Sequence, residues 1–226
     1  MVETNWNQIV EYLDEYSGKK YRDPYKVPDV EKEYYSAFRR KGKIAREEYK
    51  RYCKAVCEAI PNLEMDSRSP NNWVNQGQKV DEYFWTKYKT SSHENYINNI
   101  AITINKIPQL YDSWVLGVYV GLDNNKADDK HIAYKRQNHI LDLDIPESND
   151  LYYLVDSTYN TNRYMKNRDE VRREYDEHKV KSIQLVKIIY GPYTSDRSNA
   201  IIQDTESAIQ EFIPYYEYIM RIMLMI

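Results

Sequence analysis

Asp142, Asp144 and Asp156 are the side chains of this 226-residue chain whose type and spacing come nearest to a catalytic pattern. Asp142 and Asp144 flank Leu143 and would share one face of a strand, and Asp156 would close the next. Carboxylates so placed can hold a divalent cation beside a phosphodiester. A metal-dependent nuclease core also needs an acid and a lysine two apart on a following strand. Glu31-Lys32-Glu33 reads as helix and Asp123-Asn124-Asn125-Lys126 as loop, so that partner is missing. The three acids therefore read first as solvated strand ends, with a nuclease as the third of three functional readings.

The other reactive side chains form no complete set. His93, His131, His139 and His178 show no HExxH or HNH spacing. Cys53 and Cys57 lie four apart in a helical stretch, where two small apolar side chains on neighbouring turns are expected rather than a metal site or an exposed thiolate. No GxxxxGK[ST] or GxGxxG segment occurs, so no nucleotide held by a glycine-rich loop is expected. The expectation is a non-catalytic chain with neither metal nor cofactor.

Binding chemistry is more visible. Between positions 71 and 89 aromatic, basic and amide residues alternate. Trp73, Tyr83, Trp85 and Tyr88 offer ring faces on which an extruded base could stack, and Lys87 and Lys89 could contact phosphates. Asn71 and Gln78 could pair with base edges. The alternative is that the rings anchor a core and the amides shape turns. Phe84 and Trp85 are adjacent on an extended segment and must point to opposite faces, so Phe84 is expected in the core and Trp85 outside it.

The same pairing recurs along the chain. Twenty-four tyrosines stand against three phenylalanines, and Lys20-Tyr21-Arg22, Tyr49-Lys50-Arg51-Tyr52, Lys87-Tyr88-Lys89 and Tyr134-Lys135-Arg136 join rings to cations. A biased base composition, which raises Tyr, Asn, Ile and Lys together, would produce the same enrichment without any ligand. The net charge of −3 argues against a large non-specific nucleic-acid footprint but allows one local basic face.

These residues need a scaffold. Trp6, Ile9, Val10 and Leu13 give a helical stripe; a second helix capped by Asp29 should run through Phe38, and a third from Ala45 to Ile60. From Ser67 the period shifts toward two, and strands are expected at Tyr83–Tyr88, Asn98–Ile104, Trp114–Leu122, His139–Asp144, Tyr152–Asp156 and Ser182–Ile189. A charged surface helix should fill Asn167–Lys179, and a closing helix should start near Ser198 and run through Pro214 to the end. The expected class is α+β: a helical region over 1–66, then a core over 67–226 with a mostly antiparallel sheet of five to six strands, all in one compact domain.

Ile189-Tyr190-Gly191-Pro192-Tyr193, followed by a helix with Asp204, Ala208, Ile209 and Phe212 that ends in Tyr215-Tyr216-Glu217-Tyr218-Ile219, resembles the closing segment of the amino-terminal specificity domain of McrB-type, GTP-dependent restriction enzymes. Trp114–Leu122 paired with a following polar strand is similar to that family's central hairpin. The family's glycine-rich segment before a Pro-Trp pair is echoed only by Pro70-Asn71-Asn72-Trp73, and its GTPase module has no counterpart. The resemblance covers about a third of the chain. It implies DNA binding that recognises a modified base in a restriction or phage-defence setting, with cleavage performed elsewhere.

The second reading is a protein-interaction or inhibitor module, since tyrosine is enriched at interfaces. Its partner face, or a homodimer face, would be the last helix with Met220, Met223 and Met225. No signal sequence or membrane span is apparent, and two cysteines suggest a reducing cytoplasm.

Overall fold

The computed structural model describes residues 3–90, 98–122, 130–159 and 161–222. The fold is α+β, with five helices and an antiparallel sheet of seven strands. The helices are α1 (Trp6–Tyr16), α2 (Asp29–Ala59), α3 (Lys130–Gln137), α4 (Arg168–Asp176) and α5 (Ser198–Ile222). The strands are β1 (Leu63–Met65), β2 (Phe84–Thr90), β3 (Asn98–Ile107), β4 (Tyr111–Leu122), β5 (Leu151–Ser157), β6 (Asn162–Met165) and β7 (Val180–Tyr190). They lie side by side as β1-β2-β3-β4-β7-β5-β6. Two short edge strands, β1 and β6, go beyond the five or six expected.

Alternation along these strands divides the sheet into two faces. Phe84, Thr86 and Tyr88 of β2 stand level with Ile104, Ile102 and Ile100 of β3, and all point toward the helices. The main core joins them to Trp6, Ile9, Tyr12 and Leu13 of α1, to Phe38, Tyr49, Tyr52 and Val56 of α2, and to Ile209, Phe212 and Tyr216 of α5. The helices of the first sixty residues thus pack on the sheet. Thr4 is tied to the start of α5 as well: its N–H donates to Ser198 Oγ at 3.2 Å, and that hydroxyl donates back to the Thr4 carbonyl.

Eleven tyrosines are buried among the described residues, so core packing accounts for much of the enrichment. Their hydroxyls need partners once out of water, and they find them across layers. Tyr49 of α2 donates to the Ile102 carbonyl of β3 at 3.0 Å. Tyr88 of β2 donates to the Cys53 carbonyl of α2 at 3.0 Å. Tyr52 bonds Thr205 of α5 at 2.7 Å, and Tyr12 donates to the Trp73 carbonyl at 2.6 Å. A phenylalanine in any of these places would fill the space without tying the layers.

Three expectations are corrected. The helices foreseen at 29–38 and 45–60 are one helix, because Phe38, Gly42, Ala45, Tyr49, Tyr52 and Val56 continue a single buried stripe through the gap. Pro28, not Asp29, holds the N-cap position; Asp29 supplies charge in the first turn. His139–Asp144 is not a strand: Asn138–Asp142 forms a 3-10 helix. Asn138 explains why no strand is needed there. Its Oδ1 accepts from the Ile183 N–H at 2.9 Å and its Nδ2 donates to the Lys181 carbonyl at 3.1 Å, so one amide satisfies the stretch of β7 that β4 does not reach.

Candidate nucleic-acid interface

The stretch from 71 to 89 is divided between three environments. Tyr88 is 0% exposed and sits in the main core, so its ring offers no face to a base. Its alternation with Phe84 and Thr86 dictates this. Trp73 is half-buried against Tyr21, with ring centroids 4.9 Å apart, and against Phe38 of α2. Gly42 lets it approach, for a Cβ there would stand 2.5 Å from the Trp73 ring.

Asn71 is buried too, and its amide pairs with peptide groups. Its Oδ1 accepts from the Trp85 N–H at 2.8 Å and its Nδ2 donates to the Tyr83 carbonyl at 3.3 Å. Ser69 Oγ accepts from the Lys87 N–H at 3.0 Å in the same manner. β1 pairs only with the far end of β2, so these side chains complete the ladder along the rest of its edge. Lys89 is 7% exposed, which removes it as a phosphate contact. Gln78 is exposed, has φ +60°, and uses its carbonyl to accept from the Tyr21 N–H at 2.7 Å. Tyr83 is exposed as well.

Trp85 and Lys87 remain, and they lie together on the sheet face opposite the main core. Lys87 places Nζ 4.7 Å from the Trp85 ring centroid. Among the described residues no helix side chain joins the apolar cluster on this face. The cluster consists of Ile107, Val115, Tyr119, Tyr152, Val186 and Ile188, with Leu154, Tyr164 and Tyr190 against it. Here the tyrosines supply the cover. Tyr119 lies back over Gly117, where a Cβ would meet its ring at 2.5 Å. Tyr119 and Tyr164 bring their hydroxyls to 3.5 Å, Tyr152 and Tyr190 to 3.2 Å, and Tyr111 stands edge-on to Tyr190 at 5.4 Å. Lys166 Nζ sits 5.0 Å from the Tyr152 ring centroid. Burial pushes the Tyr164 and Tyr190 hydroxyls up, each reinforced by its tyrosine neighbour, so both remain protonated donors at neutral pH.

Sequence reasoning placed Trp85 on this face but missed Tyr111, Tyr119, Tyr152, Tyr164 and Tyr190, which share it. Residues from β2, β4, β5, β6 and β7 build it, and alternation within each strand was the available signal.

The acids do not assemble. Asp142 is engaged by Arg172 at 2.7 Å and His139 at 2.6 Å; burial alone would raise its carboxyl, but these bonds outweigh it and hold the group below its usual range. Asp144 is exposed near Arg168, and Asp156 faces Lys181 at 3.4 Å. No group of three His, Cys, Asp or Glu side chains could hold a metal ion among the described residues. Cys53 is fully buried, accepts from Thr86 Oγ1 at 3.1 Å, and burial pushes its thiol up to about 12. Met220 is buried, while Met223 and Met225 lie outside the described residues, as does His93. No helix among the described residues is long and apolar enough to cross a membrane.

Compared with known proteins, the chain matches no family model, no curated protein and no solved structure.

Proposed function

We propose that this protein is a non-catalytic nucleic-acid-binding module whose aromatic sheet face holds unstacked bases. DNA carrying a modified base, the ligand suggested by the resemblance to McrB-type specificity domains, is the first to try. One observation carries the reading: Trp85 stands on a sheet face where no described helix packs, with the Lys87 ammonium 4.7 Å from its ring. A ring offers a stacking plane to any base, a neighbouring cation suits the phosphate that follows, and antiparallel sheets with exposed aromatics accept splayed bases.

Fluorescence anisotropy with labelled single strands and duplexes, modified and unmodified, tests it. Trp85→Ala should weaken binding by about 1–3 kcal/mol while leaving the melting temperature nearly unchanged. Wild-type protein that binds none of these oligonucleotides at low salt and micromolar concentration overturns the reading.

A protein-interaction module is the second reading, favoured by the exposed edge of the tyrosine cluster at Tyr111, which is 42% exposed. Met220 of the C-terminal helix is buried, so this reading rests on the sheet face here. Light scattering after size exclusion, on wild type and Tyr111→Ala, separates the two readings.

A further inference from the structure

Charge is distributed unevenly along this chain. Residues 18–43 hold nine lysines and arginines against four acids, a net of +5 in a chain whose total is −3. The fold lays this segment against the amide loop. Lys20 forms an isolated antiparallel bridge with Lys79, and the Gly18, Tyr21 and Val80 N–H groups bond across the same junction. Lys20 and Lys79 are therefore directly opposed. Both are exposed, and neither forms an ion pair with an acid among the described residues. Like charges directly opposite in an antiparallel pair repel, and an anion between them reverses the sign. Gly18, Asn75, Gln76 and Gly77 complete a shallow depression around the two lysines.

A second depression lies along the flank of α2, lined by Tyr25, Lys32, Arg39, Arg40 and Lys43. Lys32 is neutralised by Asp29 at 2.5 Å, and Arg39 interacts with the Tyr21 hydroxyl. Arg39, Arg40 and Lys43 form no ion pair among the described residues, and Arg39 and Lys43 stand one turn apart as a like-charged pair. A solvated helix face normally interleaves signs at this spacing, as Glu217 and Arg221 do on α5. Tyr25, 87% exposed, stands at the edge of these cations with a free ring face.

We infer that this basic tip binds the phosphodiester backbone of single-stranded nucleic acid. Lys20 and Lys79 clasp one phosphate, Arg40 and Lys43 clasp another, and a base stacks on Tyr25. The ligand rests on the nucleic-acid reading above; the surface is a separate one, since no residue of it belongs to the Trp85 face.

The test compares wild type, Lys20→Gln/Lys79→Gln, Arg40→Gln/Lys43→Gln and Trp85→Ala, using a labelled oligothymidylate over a salt series. Each double glutamine variant should lower the slope of log affinity against log salt by about 0.7, the value for one phosphate contact on a single strand. Trp85→Ala should weaken binding at an unchanged slope. Without ligand, Lys20→Gln/Lys79→Gln should melt at or above the wild-type temperature, which separates lost contact from lost folding. Equal slopes in wild type and both double variants, with binding retained, overturn the tip and leave the Trp85 reading standing. If wild type binds no oligonucleotide but binds vesicles containing phosphatidylserine, or tripolyphosphate, in a manner abolished by the glutamine variants, the nucleic-acid assignment of both surfaces falls.

Discussion

Asn71 grips Trp85 at two points: its backbone N–H donates to the Trp85 carbonyl at 3.2 Å, and its side-chain Oδ1 accepts the Trp85 N–H at 2.8 Å. An amide that looks available to a base is thus committed to a strand edge. Asn71→Ala would strip partners from the Trp85 N–H and the Tyr83 carbonyl in partly buried surroundings. It should cost about 1–3 kcal/mol of stability in urea unfolding. Unchanged stability with weakened DNA binding would return Asn71 to a base-reading role.

Phe84 and Trp85 should respond oppositely. Phe84 is stacked between Tyr12 and Tyr49, at 6.1 and 5.5 Å, inside the main core. Phe84→Ala should cost about 3–5 kcal/mol, whereas Trp85→Ala should cost far less. Thermal melts of both variants decide the assignment of faces, and a Trp85→Ala melt below that of Phe84→Ala reverses it.

Gly42 tests packing against propensity. Alanine in the middle of a helix ordinarily gains about 0.5–1 kcal/mol over glycine. Here the added methyl would stand 2.5 Å from the Trp73 ring and 3.0 Å from the Tyr12 ring, so Gly42→Ala should instead destabilise by about 1–3 kcal/mol. A gain in melting temperature would show that Trp73 can move aside.

Alkali should unfold this protein through its interior. Burial pushes the Cys53 thiol up to about 12 from 9.0, and it pushes Tyr49, Tyr52 and Tyr88 well above 10.0. Below pH 9 folded and unfolded chains both hold these protons, and stability is whole. Above 9 to 10 only the unfolded chain releases them, so stability falls at up to about 1.4 kcal/mol per pH unit for each group. Urea midpoints between pH 7 and 11, fitted per pH, read this directly; a flat profile above pH 10 excludes it. Under the same account Cys53 should resist a thiol reagent at pH 8 until the chain is unfolded.

The tyrosine hydroxyls that bridge layers should each be worth a measurable amount. Tyr49→Phe keeps the ring and removes the bond to the Ile102 carbonyl, for an expected loss of about 0.5–1.5 kcal/mol. Equilibrium unfolding of the variant checks it.

Local pattern was enough for most of the scaffold. The three- and four-residue spacing of Trp6, Ile9 and Leu13 requires an amphipathic helix, and the apolar run at Val115–Val120 requires a central strand, because burial of alternate or helical faces is decided by neighbours in the chain. The opposite orientations of Phe84 and Trp85 follow from the same rule. What sequence could not decide is which polar groups have other duties. Asn71 and Asn138 spend their amides on strand edges, Tyr88 lies in the main core, Lys89 is buried as well, and Asp142 is held by Arg172, thirty residues away. The opposed pair of Lys20 and Lys79 likewise exists only because Lys79 is folded back beside Lys20. Hydrogen bonds and charge pairs of this kind act over a few ångströms between segments that are remote in sequence, and only the tertiary structure sets those distances.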